Sequence, residues 1–491
     1  MGIIKTQSIY NTIIIYIGIG LGFISTIYLY PNVLTPDEYG LTRLLLSVAL
    51  LFTQFAHMGM NNISIKFFPY FEDKQNQHNG FFFLTLVVPF LGFLLFLGVF
   101  FLFSDLILDY YSDKSELFVE YFPFLIPLVL GILYFDVINS YVRARYASVP
   151  GSIIGEVVLK TVTILLLILF LFKWLSFYEF MVAFVCSYIL KPVLLIVYLY
   201  RKGELFLKPK FNFIDTTLFK RMGNYGLFSI LGGMANLIVN NIDIIMLGSL
   251  SGLANTGIYA IAFYVGSVIE VPKKAIGKIV PTVIAKNLAD KDYAEVANIY
   301  KSSSINQVIP GALIFIGIWA NLENLLAILP AEYSGAGIVI LIIGAAKLIN
   351  MGVGVNGVII LNSEHYRFDL ISTIFLVIIS ILTNYLLIPI YGIAGAALAT
   401  ALSILIYNII KGVFLWVKFK MQPFTPKILT VVLLSGAVLY ASLMVDRIGS
   451  VYVDIFIRSF TIAVIYSTGI ILFNVSDEVN KIWADIKKKI L

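Results

Sequence analysis

One cysteine (Cys186) and three histidines (His57, His78 and His365) are all that 491 residues offer as soft or imidazole ligands. A single cysteine excludes a disulfide framework, and three histidines without partner spacing exclude a Cys/His zinc site. Charge is scarce too. Asp, Glu, Lys and Arg make up 13% of the chain, against about 25% in an ordinary soluble domain. Apolar surface takes their place: 60% of the residues are hydrophobic and the mean hydropathy is +0.94. A water-soluble core of this size could not hide so much apolar surface. Soluble enzymes, disordered proteins and nucleic-acid binders are thereby excluded, and the chain reads as an integral membrane protein.

A spanning helix needs about 20 apolar residues. Such runs predict an all-α polytopic protein with about fourteen transmembrane segments, at 9–30, 41–65, 80–103, 117–140, 151–172, 178–200, 222–248, 254–284, 302–329, 333–361, 368–388, 392–415, 428–445 and 451–473. The first run is long enough to span, so no cleavable signal peptide is visible. The remaining stretches leave no room for a soluble domain.

Basic residues set the orientation. With a cytoplasmic N-terminus, 22 of the 34 Lys and Arg fall in cytoplasmic loops or the tail. Six of them, Arg201, Lys202, Lys208, Lys210, Lys220 and Arg221, cluster after segment 6. The opposite loops hold only Lys114, Lys173 and Arg447, among acids such as Asp37, Glu38, Asp105, Asp109, Asp113 and Glu116. Both termini are expected to be cytoplasmic. Beyond Ser476, Val479, Ile482, Trp483, Ile486 and Ile490 recur at helical spacing while Lys481 and Lys487 to Lys489 fall largely elsewhere. That pattern predicts an amphipathic helix in the inner headgroup layer, with a frayed solvated tail as the alternative.

The chain repeats. LTPDEYGLTR (34–43) and SGLANTGIYA (251–260) align Gly40 with Gly257 at an offset of 217, and VRARY (142–146) and SEHYR (363–367) align Tyr146 with Tyr366 at 220. Two six-helix lobes follow, related by an axis along the membrane normal because six is even. The expected organisation is an N-lobe at 1–205, a C-lobe at 206–421, two appended helices at 422–475 and the tail at 476–491. Paired lobes of this kind belong to rocking, alternating-access transporters, whose substrates bind near the midplane between the halves.

Nine basic residues remain inside the segments: Arg43, Lys160, Lys191, Lys273, Lys274, Lys278, Lys347, Lys411 and Arg458. Each costs roughly 2.5–3.5 kcal/mol at a helix centre on insertion scales, less where it snorkels. Arg43, Lys411 and Arg458 lie near segment ends, where headgroups are within reach. Lys160, Lys191 and Lys347 lie deeper, either lining a cavity or forming buried pairs; Glu156 stands four residues before Lys160. In segment 8, Glu270, Lys274 and Lys278 form a charged stripe at i, i+4 and i+8, with Pro272 and Pro281 as kink points. The 217 offset places Lys274 opposite His57 and Lys278 opposite Asn61, on a segment 2 whose polar side carries Gln54, His57, Asn61, Asn62 and Lys66. Both lobes thus present a polar, net-basic helix, suited to an anionic substrate bearing phosphate or pyrophosphate. Interface snorkelling of Lys66 and Lys278 is the structural alternative. Acids inside the segments include Asp136, Glu156, Asp243, Glu270 and Glu323. Asp243 with Asn240 makes a candidate site for a coupling H⁺ or Na⁺, or else a structural cap or pair. No other cofactor and no metal is indicated.

Three elements carry a family resemblance: LTPDEYG (34–40) after the first segment, NNIDIIMLGSLSGLANTGIYAIAF (240–263), and YGIAGAALATALS (391–403) at the start of segment 12. In these places the chain resembles the polysaccharide flippases that handle O-antigen, capsule and exopolysaccharide repeat units. They are part of the multidrug/oligosaccharidyl-lipid/polysaccharide exporter superfamily. The resemblance implies a V-shaped, MATE-like pair of lobes with a cationic lumen in the bacterial inner membrane. It implies movement of an undecaprenyl-pyrophosphate-linked oligosaccharide from the inner to the outer leaflet, alongside polysaccharide polymerase machinery. On that analogy the helices bearing Arg43 and Lys66, and Lys274 and Lys278, line the lumen.

Three rivals stand beside this reading. A multidrug or organic-cation exporter of the same superfamily would want an acidic cavity, whereas the polar stripes of segments 2 and 8 are net basic. A lipid II flippase is mechanistically almost identical. A membrane enzyme acting on lipid-linked glycans usually needs a substantial outer loop with positioned acid and base groups, and no outer loop here exceeds about 15 residues.

Overall fold

The computed structural model describes residues 2–210, 213, 215–276 and 280–490, without the side chains of 2–6, 8, 236, 274–276, 482 and 485–490. Among the described residues every regular element is helical. Eleven helices among these residues are long and apolar enough to cross a membrane, or thirteen if each of two bent pairs forms one span. The expectation was fourteen. One of the eleven, Tyr366–Phe419, holds two of the expected segments, 368–388 and 392–415, merged across a non-helical residue at Gly392 (φ 55°, ψ −130°). Below, each segment keeps the number of its sequence counterpart. The chain is a multi-pass membrane protein.

Packing divides it into two compact units, Met1–Gly257 and Ile258–Leu491. The lobe boundary expected from the basic linker lies earlier, at 205/206. Segment 7 (Thr216–Leu250) accounts for the difference, because it packs on segment 2 within the first unit.

In the first unit, segment 2 (Pro36–Phe71) opens on a reciprocal cap. The Thr35 side chain accepts from the Glu38 amide, the Glu38 carboxylate accepts from the Thr35 amide, and Pro36 occupies the first helical turn. The helix breaks at residues 57–59, where Met58 (φ 49°) and Gly59 (φ 77°) are left-handed. Glycine is required at 59, because a Cβ there would collide with the backbone of Gly226 in segment 7. The two glycines equated by the repeat offset lie against one another. A Cβ on Gly40 would strike the Leu253 carbonyl, and one on Gly257 would strike that of Pro36. Deeper in the unit, Phe68, Phe81 and Phe82 pack around Tyr141 at ring separations of 5.5, 6.4 and 4.9 Å. Single π-type turns interrupt segment 1 at Ile24–Leu29 and segment 5 at Ile153–Val158.

The second unit is built around two interrupted helices. Segment 8 passes from Leu253–Ser267 through a 3₁₀ turn at Val268–Glu270 into Val271–Ile276. Segment 10 is bent by 48° between Ala336–Gly352 and Asn356–Asn362. Segments 13 (Pro426–Leu443) and 14 (Val451–Leu472) pack on segment 9 (Tyr293–Ala320) through Val431, Val438, Ile462, Tyr466 and Ile470. The final helix, Asp477–Ile490, starts from Ser476, whose hydroxyl meets Asn306 at 2.8 Å, and Val479 joins the same core. The side chains of Ile482, Ile486, Ile490 and Lys487 to Lys489, on which its expected amphipathic face depends, lie outside the described residues.

Candidate functional site

The breaks in segments 8 and 10 bring polar side chains together inside the second unit. Glu270 sits at the end of the 3₁₀ turn, followed by Pro272, which cannot donate a backbone hydrogen bond. Lys347 and Asn350 occupy the last turns before the bend in segment 10, and Asn356 starts the helix after it. Lys347 meets Glu270 at 3.1 Å and Lys273 meets it at 3.7 Å. Asn350 donates its side-chain N–H to the same carboxylate at 2.5 Å, and Lys273 reaches the Asn350 carbonyl at 3.4 Å.

From Asn350 the network continues into segment 12. Asn408 donates to the Asn350 side chain and accepts from Asn356, both at 3.1 Å. One turn further along, Lys411 donates to Asp369 at 2.6 Å and to the Tyr407 hydroxyl. Three lysines thus share two carboxylates, leaving one unit of positive charge in a buried setting. Ions taken out of water cost several kcal/mol each, so pairing and the asparagine amides are what make the cluster tenable.

Asn408 also adjoins a second feature. It forms part of the wall of an apolar cavity of about 790 Å³, lined by Val308, Phe315 and Trp319 of segment 9, Leu348 of segment 10, Trp416 of segment 12, and Val432 and Leu439 of segment 13. One asparagine therefore belongs both to the cationic network and to an apolar cavity.

The remaining expected site residues have distinct surroundings. In the first unit, His57 is buried at the break in segment 2, with Nε2 at 2.9 Å from the Gln54 side chain and Nδ1 accepting from the Gly59 amide. Gln54 in turn donates to the Ile230 carbonyl. Asn61 is half-buried and accepts from the Asn62 amide, while Asn62 reaches Ser229 at 2.5 Å. Lys66 is exposed, its ammonium 3.9 Å from the Tyr225 ring centroid. Arg43 is half-buried beside Tyr39. Lys160 is held by Glu156 at 2.8 Å and by the Gly18 carbonyl at 2.9 Å, tying segment 5 to segment 1. Asp243 is buried and Asn240 exposed. Lys278 and the side chain of Lys274 lie outside the described residues. Of the expected cationic set, the second-unit network contains Lys347.

Two basic residues expected to reach the headgroups do not. Lys411 is only 2% exposed and is paired with Asp369. Arg458 pairs with Asp454 at 3.1 Å and donates to the Ser442, Val445 and Asp446 carbonyls, fastening the turn between segments 13 and 14. Lys411 finds its carboxylate on the neighbouring segment 11, and Arg458 finds one a turn earlier on its own helix, in place of what the interface would have supplied. Sequence reasoning also passed over Asn350, Asn356, Asn408 and Asp369. For Asn350 and Asn408 the signal was a polar residue one turn from Lys347 and Lys411 in an otherwise apolar helix; Asn356, past the bend, and Asp369, on another segment, carried no such local signal.

Against this geometry, the polysaccharide biosynthesis protein family matches residues 4–284, more than half of the chain. The chain belongs to that family. Its fold is shared with solved transporters. A lipid II flippase, MurJ, in an inward closed conformation is 14% identical with a TM-score of 0.73, covering 95% of this chain and 98% of the other. An inward-facing MATE family multidrug resistance transporter of the MOP superfamily is 13% identical with a TM-score of 0.64, covering 80% and 92%. No curated protein matches the sequence. The family member described here accordingly has an all-α, MATE/MurJ-like architecture. Among its described residues no three His, Cys, Asp or Glu side chains converge as metal ligands.

Proposed function

We propose that this protein is a flippase that moves a polyprenyl-pyrophosphate-linked oligosaccharide, a polysaccharide repeat unit, from the cytoplasmic to the outer leaflet of the bacterial inner membrane by alternating access. The observation that carries the reading is the junction at Asn408. A buried network with one surplus positive charge borders an apolar cavity of about 790 Å³, within the roughly 300–1,000 Å³ typical of ligand sites. That pairing suits a substrate with an anionic head and a long hydrocarbon chain. A cationic drug would meet the wrong sign of charge. The polysaccharide biosynthesis family match favours a repeat unit over lipid II, which shares the same lipid chemistry.

In this reading Arg43, Asn61, Lys66, Lys274, Lys278 and Lys347 face the substrate, and His57 and Lys160 hold the helices that present them. Asp243 and Asn240 serve a coupling H⁺ or Na⁺. Both termini are cytoplasmic, membrane lipids surround the protein, and a polysaccharide polymerase acts on its product. The reaction makes and breaks no covalent bond, so the protein is a transporter and not an enzyme.

Complementation tests the assignment. Expression in cells deleted for a polysaccharide repeat-unit flippase should restore surface polysaccharide. Rescue only of cells depleted of their lipid II flippase would favour the peptidoglycan reading instead, and rescue of neither would overturn the flippase assignment.

A further inference from the structure

Lys191 differs from the other basic residues buried in the membrane-spanning helices. It lies on segment 6 (Phe177–Arg201) and is only 8% exposed. Segment 6 can approach segment 4 closely because Gly131 abuts the backbone of Tyr188 and Ile189. The approach cages the ammonium between Phe135, 4.0 Å from its ring centroid, and Tyr188, at 5.1 Å. Lys160, Lys273, Lys347, Lys411 and Arg458 each have a carboxylate oxygen within 4 Å. Among the described residues Lys191 has neither such a contact nor a hydrogen-bond acceptor. Asp136 and Glu156 act on it only through longer-range electrostatics, and Glu156 is already engaged by Lys160.

A lysine ammonium carries three donors and no acceptor. Aromatic faces stabilise its charge without accepting those donors in ordinary hydrogen bonds, and a carboxylate held out of contact does the same. The cage therefore keeps a buried cation charged while leaving its N–H groups uncommitted. Such a group calls for an acceptor that the described protein does not provide. On segments 1 and 2, the Tyr30 ring stands 4.6 Å from that of Tyr39, whose buried hydroxyl also has no hydrogen-bond partner among the described residues.

We propose that the Lys191 ammonium is an oxyanion-binding group of the first unit that engages the pyrophosphate of the lipid-linked substrate. The proposal rests on the flippase reading above. Asp136 is assigned a positioning role, keeping the ammonium charged without occupying its donors.

Full-length protein in lipid nanodiscs, checked for monodispersity, provides the test. Binding of a sugar-free polyprenyl pyrophosphate is compared with binding of the uncharged polyprenol, for wild type, Lys191→Gln, Lys191→Arg and the Lys191→Gln/Asp136→Asn double variant. Wild type should prefer the pyrophosphate. Lys191→Gln should weaken pyrophosphate binding about tenfold or more, the scale of one lost charge-assisted hydrogen bond, and leave polyprenol binding unchanged. Lys191→Arg should stay within a few-fold of wild type, and the double variant should remain as weak as the single one. Unchanged pyrophosphate binding in Lys191→Gln, or recovery in the double variant, would overturn the proposal, because Lys191 would then be only a counter-ion to Asp136. A loss confined to a uronate-bearing lipid without pyrophosphate would overturn the pyrophosphate assignment in favour of a sugar carboxylate. If wild type itself shows no preference for pyrophosphate over alcohol, the failure lies with the flippase reading.

Discussion

Replacing Glu270 with Gln removes the charge on which Lys347 and Lys273 converge and keeps the shape of the side chain. In the intact protein this carboxylate takes Lys347 at 3.1 Å, Lys273 at 3.7 Å and the Asn350 amide at 2.5 Å. The variant leaves two lysines in a mostly buried site with no carboxylate between them. Breaking a buried ion pair from one side costs about 3–5 kcal/mol, a large fraction of the about 5–15 kcal/mol that holds a typical domain together. At roughly 2–4 °C per kcal/mol for a unit of this size, the melting temperature should fall by on the order of 10 °C. The assay is thermal unfolding of purified protein in detergent, followed by intrinsic fluorescence and by loss of the monodisperse chromatographic peak. The double variant Glu270→Gln/Lys347→Met should regain much of the loss, because the deeper cation goes with its partner. A single variant as stable as wild type, together with a double variant no better than the single, would refute the idea that the second unit is organised by this ion cluster.

Three further outcomes follow from the geometry. Gly40→Val should destabilise the first unit by about 1–3 kcal/mol, the usual cost of overpacking, because its side chain has to displace the Leu253 carbonyl; the same thermal assay reads it. Gly412→Phe or Gly436→Phe should fill the apolar cavity and cut transport of a lipid-linked substrate at least several-fold with little change in melting temperature, since both glycines line the cavity and a Cβ at either meets nothing within 4 Å. Lys160→Met should impair stability, and adding Glu156→Gln should restore both stability and transport, because the ammonium is spent on Glu156 and Gly18; a stable double variant that fails to transport would mean that Lys160 touches the substrate.

The parts of this molecule that could be read directly from its residues are those with a local cause. Apolar runs long enough to span located the helices, even where two merge across Gly392, because desolvation of a spanning segment is a property of that segment alone. The Glu156–Lys160 pair was legible for the same reason: i,i+4 spacing on a helix forces the two side chains together. Glu270 and Lys347 are 77 residues apart, and Lys411 and Asp369 are 42 apart; no local period announces either pair. Their partnership depends on which helices pack side by side. Lys411 was misplaced to the headgroups because a cation near the end of a hydrophobic run has two ways to be satisfied, and only packing decides between them. For Arg458 the i,i+4 partner Asp454 was a local signal that was overlooked. The bend in segment 10 was hidden as well. Its valines and glycines continue the apolar run, and the left-handed Gly354 (φ 62°) is apparent only from the backbone.

The central claim is that this protein carries an anionic, lipid-linked head across the bilayer. The most direct measurement reconstitutes it in proteoliposomes and follows, with an impermeant glycosidase, the appearance of one oligosaccharide in the far leaflet on two carriers: a polyprenyl pyrophosphate and the corresponding uncharged polyprenol. The account predicts protein-dependent movement of the pyrophosphate-linked form and little or none of the uncharged one. Equal rates for both, or transport of an organic cation in place of either, would contradict it.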